Sequence, residues 1–175
     1  AGLPILSRER DESMPLIIAG GSCTYNPEPM AGFLDAFVIG EGEEVLVELL
    51  QACEGWKLGG GRADPDGRRA LLSRLAEIPG VYVPSLFNLD DGLEARRTGG
   101  GAGADGLPGR VRKRILAQLG PAPTRAIVPT MEIVHDRAMV EVQRGCSRGC
   151  RFCQAGIIYR PIRQRPVAEV LAAID

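Results

Sequence analysis

Two short apolar runs, each closed by glycine and the second leading straight into a helix-patterned stretch, constrain this chain more than any other feature. "PLIIAGG" (15–21) is unbroken in its apolar centre and ends in two glycines. A strand covered on both faces reads that way, whereas a half-wet strand alternates. "DAFVIGEG" (35–42) repeats the pattern. "EEVLVELLQACEGW" (43–56) follows as an amphipathic helix, with Val45, Leu46, Leu49, Leu50 and Cys53 on one face and acids at the positive end of its dipole. Between the runs, "NPEPMAGFL" (26–34) carries proline at the start of a short helix. Strand and helix in alternation predict an α/β fold built on a parallel sheet.

The middle is less regular. "KLGGGRADPDGRR" (57–69) has linker composition, "RALLSRLAEI" (69–78) is a short helix, and "PGVYVPSLF" (79–87) is extended, with Pro84 marking an edge strand. "DDGLEARRTGGGAGADGLPG" (90–109) has the composition of a surface loop. "RVRKRILAQL" (110–119) has no settled character, and "TRAIVPTMEIVHDRAMVEVQRG" (124–145) reads as two strands around a turn at His135 and Asp136. The expected segments are 1–56, 57–125 and 126–175.

With 45% hydrophobic and 25% charged residues the chain has the balance of a soluble globular protein, and a formal charge of −1 gives no global pull towards nucleic acid or anionic membrane. No run approaches the roughly 18 apolar residues of a membrane span, and residues 1–11 lack the apolar centre of a signal peptide. A cytoplasmic protein without membrane attachment is expected. Residue 1 is not Met and "PVAEVLAAID" stops within a helical pattern, so an internal fragment of a longer protein is expected.

Five cysteines, three of them crowded together, do not make a secreted disulfide framework; they fit a reducing compartment and a metal. Cys23 and Cys53 have no neighbouring ligand and read as ordinary thiols. Cys146, Cys150 and Cys153 give C-x-x-x-C-x-x-C. Zinc asks for four ligands, and the fourth would have to be His135, the only histidine, which reads more simply as a turn residue. An iron–sulfur cluster held by three thiolates leaves one iron open to a small molecule, and the spacing favours that. A zinc-binding interaction module and unliganded thiols stay as alternatives. Arg144, Arg148, Arg151, Arg160, Arg163 and Arg165 surround the cysteines. They form either an RNA-binding strip or a set of charges that offsets thiolates and carboxylates.

"GCSRGCRFC" resembles the cluster motif of the radical S-adenosylmethionine enzymes. The resemblance implies a [4Fe–4S] cluster on Cys146, Cys150 and Cys153. S-adenosylmethionine would be chelated at the open iron and cleaved reductively, giving a radical that acts on a substrate. It also implies that Phe152 lies against the adenine, that Gly145 and Gly149 let the loop wrap the sulfides, and that "MVEVQRG" and "VAEVLAAID" are the first strand and helix of a TIM-like partial barrel. An electron donor is implied; the substrate is open, with RNA among the possibilities.

"IIAGGSCTYNPEPMAGFLDAFVIGEGEEVLVELL" is similar to the latter half of the cobalamin-binding, Rossmann-like domain that precedes many radical domains. Gly20 and Gly21 match its glycine pair, and Gly40, Glu41, Gly42 and Glu43 its G-E-G-E turn. The resemblance implies cofactor-binding turns at Gly20, Gly21, Gly40, Glu41 and Gly42, with cobalamin as the candidate cofactor. The D-x-H-x-x-G motif that supplies a cobalt ligand in many such domains is missing. With "IPGVYVP" and "VHDR" added, the chain resembles an uncharacterised subgroup carrying both domains, and the implied fold is a partial Rossmann-like sheet followed by the start of a radical barrel.

Overall fold

The computed structural model describes residues 2–89, 95–97, 110–124, 130–132, 134, 137 and 139–174. It resolves into two units, Ala1–Ile115 and Leu116–Asp175. The expected surface loop at 90–109 and the turn at His135 and Asp136 lie almost wholly outside the described residues.

The first unit is mixed α/β, built on a three-stranded sheet in the order β1 (Ile18–Ala19), β2 (Ala36–Val38), β3 (Val81–Tyr82). β1 and β2 run parallel, with Ile18 opposite Ala36, and β3 returns antiparallel to β2, with Phe37 opposite Tyr82. The direction of β3 follows from what intervenes. A single crossover helix would restore a parallel strand, but two helices, α1 (Gly42–Leu58) and α2 (Gly67–Ala76), separate β2 from β3. Ala36, Val38, Val81 and Val83 face these helices and meet Val45, Leu49, Leu71 and Leu75 in the core. Side chains one position along point the other way, so Phe37 and Tyr82 lie outside that core, where Phe87 joins them, with ring centroids 6.0 Å (Phe37–Tyr82) and 5.0 Å (Tyr82–Phe87) apart. There the Tyr82 hydroxyl donates to Glu28. Burial, and then the Glu28 carboxylate, push the phenol well above its ordinary value.

Several expected elements are shorter or differently placed. β1 is two residues long and Ile18 is 38% exposed, so the first apolar run supplies an edge strand rather than a buried one. Residues 28–30 form a 3-10 turn beside Pro27 instead of an α-helix. On α1, Val45, Leu49 and Ala52 are buried, whereas Leu46 and Leu50 are 57% and 61% exposed, so the apolar stripe is wider than the core it covers. The helix stops where Gly60 takes φ 79°, the left-handed conformation in which glycine ends helices cheaply. The glycine-rich stretch after it folds back onto α1: Trp56 Nε1 donates to the Gly67 carbonyl at 2.8 Å, with Gly61 against the indole. β3 lies at the sheet edge, and Pro84 opens a 3-10 turn before β4 (Phe87–Leu89), which pairs antiparallel with β5 (Ala95–Arg97).

The amino-terminal segment is tied down by a buried charge cluster whose members lie far apart in sequence. Arg10 Nη1 and Arg68 Nη2 each donate to Asp35 at 2.9 Å, and the Ile17 N–H donates to the same carboxylate at 2.7 Å. Three further donors of each guanidinium reach carbonyls: those of Pro4, Ile5 and Phe33 from Arg10, and of Asp11, Met14 and Pro15 from Arg68.

In the second unit, β6 (Gln143–Arg144) pairs antiparallel with β7 (Arg163–Gln164). Between them lies α3 (Ala155–Ile158), and after them α4 (Val167–Ile174), where "VAEVLAAID" predicts a helix. Among the described residues, no helix is long and apolar enough to cross a membrane.

Candidate metal centre and cofactor groove

The three clustered cysteines sit on one loop, residues 145–162, whose two ends are held together by the β6–β7 pair. Gly145 turns the chain into it at φ 91°, and a Cβ there would fall 2.6 Å from the carbonyl oxygens of both Tyr159 and Pro161. Only glycine meets both conditions. Gln143 Nε2 donates to the Gly145 carbonyl at 2.9 Å and Gln164 Nε2 to Gln143 Oε1 at 3.0 Å, bracing the same corner.

Arginines fix the base of the loop. Arg144 forks onto Glu141 through Nε and Nη2, each at 2.9 Å. Arg163 Nη1 donates to the Leu116 carbonyl at 2.8 Å. Arg165, 8% exposed, donates to the carbonyls of Glu141 and Gly120 and pairs with Glu169. Three of the six arginines are thus occupied in holding the loop. Arg148 and Arg151, between the cysteines, are exposed and have no side-chain partner among the described residues.

All three thiols are free, Cys150 exposed and Cys146 and Cys153 half-buried. The Cys153 N–H donates to the Cys150 carbonyl at 3.1 Å, closing the x-x spacing into one tight turn. Phe152, inside that turn, is 93% exposed. Ile158 of α3 is buried and anchors the far side of the loop. Among the described residues, no group of three or more His, Cys, Asp or Glu side chains stands arranged to hold a metal ion. The sequence places the thiols on one loop, and the structure does not gather them to a common point.

The glycine turns of the first unit do converge. Gly20, Gly21, Gly40 and Gly42, which follow the carboxyl ends of β1 and β2, share a groove of about 720 Å³ with Ile18 of β1 and the α1 side chains Leu46 and Leu50. Open α/β sheets take ligands at that end of their strands. Glu41 is not among the lining residues. Gly40 has a packing reason of its own: at φ 111° its Cβ would sit 2.2 Å from the Arg114 carbonyl oxygen, because residue 114 bridges alongside it. Arg114 is held there by Glu44 at 2.9 Å and Glu48 at 2.5 Å. The Cys53 thiol also lines the groove, and burial raises its pKa, partly offset by Lys57.

Residues 1–84 match the family model described as "Radical SAM proteins, N-terminal". An uncharacterized protein of Methanocaldococcus jannaschii is 24% identical over 159 residues, 89% of this chain; the chain spans 27% of that relative's length. No solved structure matches. The match, which ends well before the cysteine loop, supports a radical SAM-related protein.

Proposed function

We propose that the chain carries the cluster-binding loop of a radical S-adenosylmethionine enzyme, with Cys146, Cys150 and Cys153 as the thiolate ligands of a [4Fe–4S] cluster. The donor set carries this reading: three soft thiols within eight residues of one loop, the nearby carboxylates Glu141 and Glu169 being committed to Arg144 and Arg165. Thiolates suit iron–sulfur clusters or zinc, and three without a fourth favour the cluster. When bound, such a cluster supplies an electron to the sulfonium of S-adenosylmethionine held at the iron that no side chain ligates. The chain's own part is to present the thiols from a loop fixed at its base and open at its tip, and to offer Phe152 as a flat apolar face for the adenine. Arg148 and Arg151 place positive charge beside the cysteines, which offsets the negative charge that thiolate ligands bring to a cluster.

Within the same reading, the glycine-floored groove is the seat for a cobalamin-type cofactor. Its apolar walls suit the edge of a large ring, and the seat rests on Gly20, Gly21 and Gly42, since the packing of Arg114 accounts for Gly40.

Anaerobic reconstitution of the full chain with ferrous iron and sulfide tests the centre. About four irons per chain are expected, with an electron-spin signal from the reduced cluster that changes on adding S-adenosylmethionine. A folded protein that takes up one zinc and no iron overturns the reading in favour of a zinc module. Retention of hydroxocobalamin through gel filtration tests the groove separately.

A further inference from the structure

The amino end of β2 carries a second cleft, which neither the cysteine loop nor the glycine groove uses. It encloses about 510 Å³ and is lined by Arg8, Arg10, Arg68 and Arg69 together with Glu12, Asp35 and Glu77. Four guanidiniums against three carboxylates leave the lining formally positive, and Asp35 is committed to the buried pair behind it. The one excess charge is that of the buried cluster, two guanidiniums on one carboxylate, while Arg8 and Arg69 formally balance Glu12 and Glu77.

The donors are not exhausted. A guanidinium has five N–H groups. Arg10 uses four, on Pro4, Ile5, Phe33 and Asp35, and Arg68 uses four, on Asp11, Met14, Pro15 and Asp35. Arg8 and Arg69 are exposed and have no side-chain partner among the described residues. Planar guanidiniums with donors to spare match the oxygens of a phosphate. Glu12 and Glu77 also line the cleft; their carboxylates disfavour a polyanion and can accept from hydroxyl groups.

We propose that this cleft binds a phosphorylated, hydroxyl-bearing small molecule, with its phosphate on Arg8 and Arg69 and its hydroxyls on Glu12 and Glu77. The volume lies within the usual range of small-ligand pockets, about 300–1,000 Å³. The site is in the first unit and does not depend on iron, so its failure and that of the metal reading are separable.

The test is a phosphorus NMR titration of the full chain with ribose 5-phosphate and with inorganic phosphate. Saturable binding is expected for both, tighter for the sugar phosphate. In the Arg8→Gln/Arg69→Gln protein the affinity should fall at least about tenfold, the loss of one or more charge-assisted hydrogen bonds. In the Arg148→Gln/Arg151→Gln protein it should not change. The positions changed are exposed, and an unaltered fluorescence melt of Trp56 verifies the fold. Absence of saturable binding, binding that survives in Arg8→Gln/Arg69→Gln, or loss in Arg148→Gln/Arg151→Gln overturns the proposal. Equal affinity for the two probes overturns the part assigned to Glu12 and Glu77.

Discussion

Replacing Asp35 by alanine removes the acceptor that Arg10, Arg68 and the Ile17 N–H share. The carboxylate is 2% exposed and the two guanidiniums 4% and 10%, so water does not take its place. Breaking a buried pair from one side costs roughly 3–5 kcal/mol, because the charges left behind stay desolvated. Domain stabilities are about 5–15 kcal/mol in total, which makes this a large fraction. At about 4 °C per kcal/mol, the melting temperature should fall by on the order of 10–20 °C. The readout is specific to the first unit: Trp56 is the only tryptophan, and its indole is bonded to Gly67 within that unit. Its fluorescence in urea therefore reports the unfolding to be measured. Asp35→Asn keeps one carbonyl acceptor and should fall between wild type and Asp35→Ala. A loss below about 1 kcal/mol for Asp35→Ala, the size of an exposed ion pair, would refute the reasoning.

The same fluorescence titration separates two glycines of the groove. Gly40→Ala should lose more than about 2 kcal/mol through backbone strain and the clash with Arg114. Gly42→Ala, with open space at the first position of α1, should be neutral or stabilising by up to about 1 kcal/mol. Gly145→Ala should lower iron retention after reconstitution while leaving the Trp56 transition unchanged, because its clashes lie within the cysteine loop. Trp56→Phe should cost about 1 kcal/mol for the lost hydrogen bond to Gly67, read by circular dichroism since it removes the fluorophore. Burial raises the Cys53 pKa, so at pH 8 it should react with iodoacetamide more slowly than exposed Cys23, as followed by peptide mass spectrometry. Above the ordinary thiol pKa of about 8.5 the unfolded chain ionises first, so the contribution of Cys53 to stability is lost as pH rises there.

β2 was legible because a strand covered on both sides is written as an unbroken apolar run, and all three of its residues are buried. The same reading overextends β1, since hydropathy marks Ile18 as apolar without recording that it sits at an edge. The predicted face of α1 fails for the same reason: Leu46 and Leu50 belong to the apolar stripe, but the sheet and α2 cover only the side with Val45, Leu49 and Ala52. Residues 57–69 have linker composition yet include Arg68, whose burial depends on Asp35, thirty-three positions away. No local pattern encodes such a partner. An acid placed directly before the apolar run at 36–38 was the one available signal. The cysteine loop lies at the other extreme, because its donor types and spacing are local and can be read without a fold.

What the fold adds to that loop is a division of labour among cations that composition treats alike. Arg144, Arg163 and Arg165 are engaged with Glu141, the Leu116 carbonyl, and the carbonyls of Glu141 and Gly120. Removing any of them loosens the base on which the thiols are carried. Arg148 and Arg151 stand outside this framework, one on each side of Cys150. A single-stranded nucleic acid tract is gripped by a track of phosphate contacts with stacking aromatics interleaved, and the loop offers two uncommitted arginines and the exposed Phe152. Two cations beside three thiols have a nearer use: they offset the negative charge that thiolate ligands bring to a metal site. On that reasoning Arg148 and Arg151 belong with the metal centre, and replacing them should weaken iron uptake before it weakens any association with RNA.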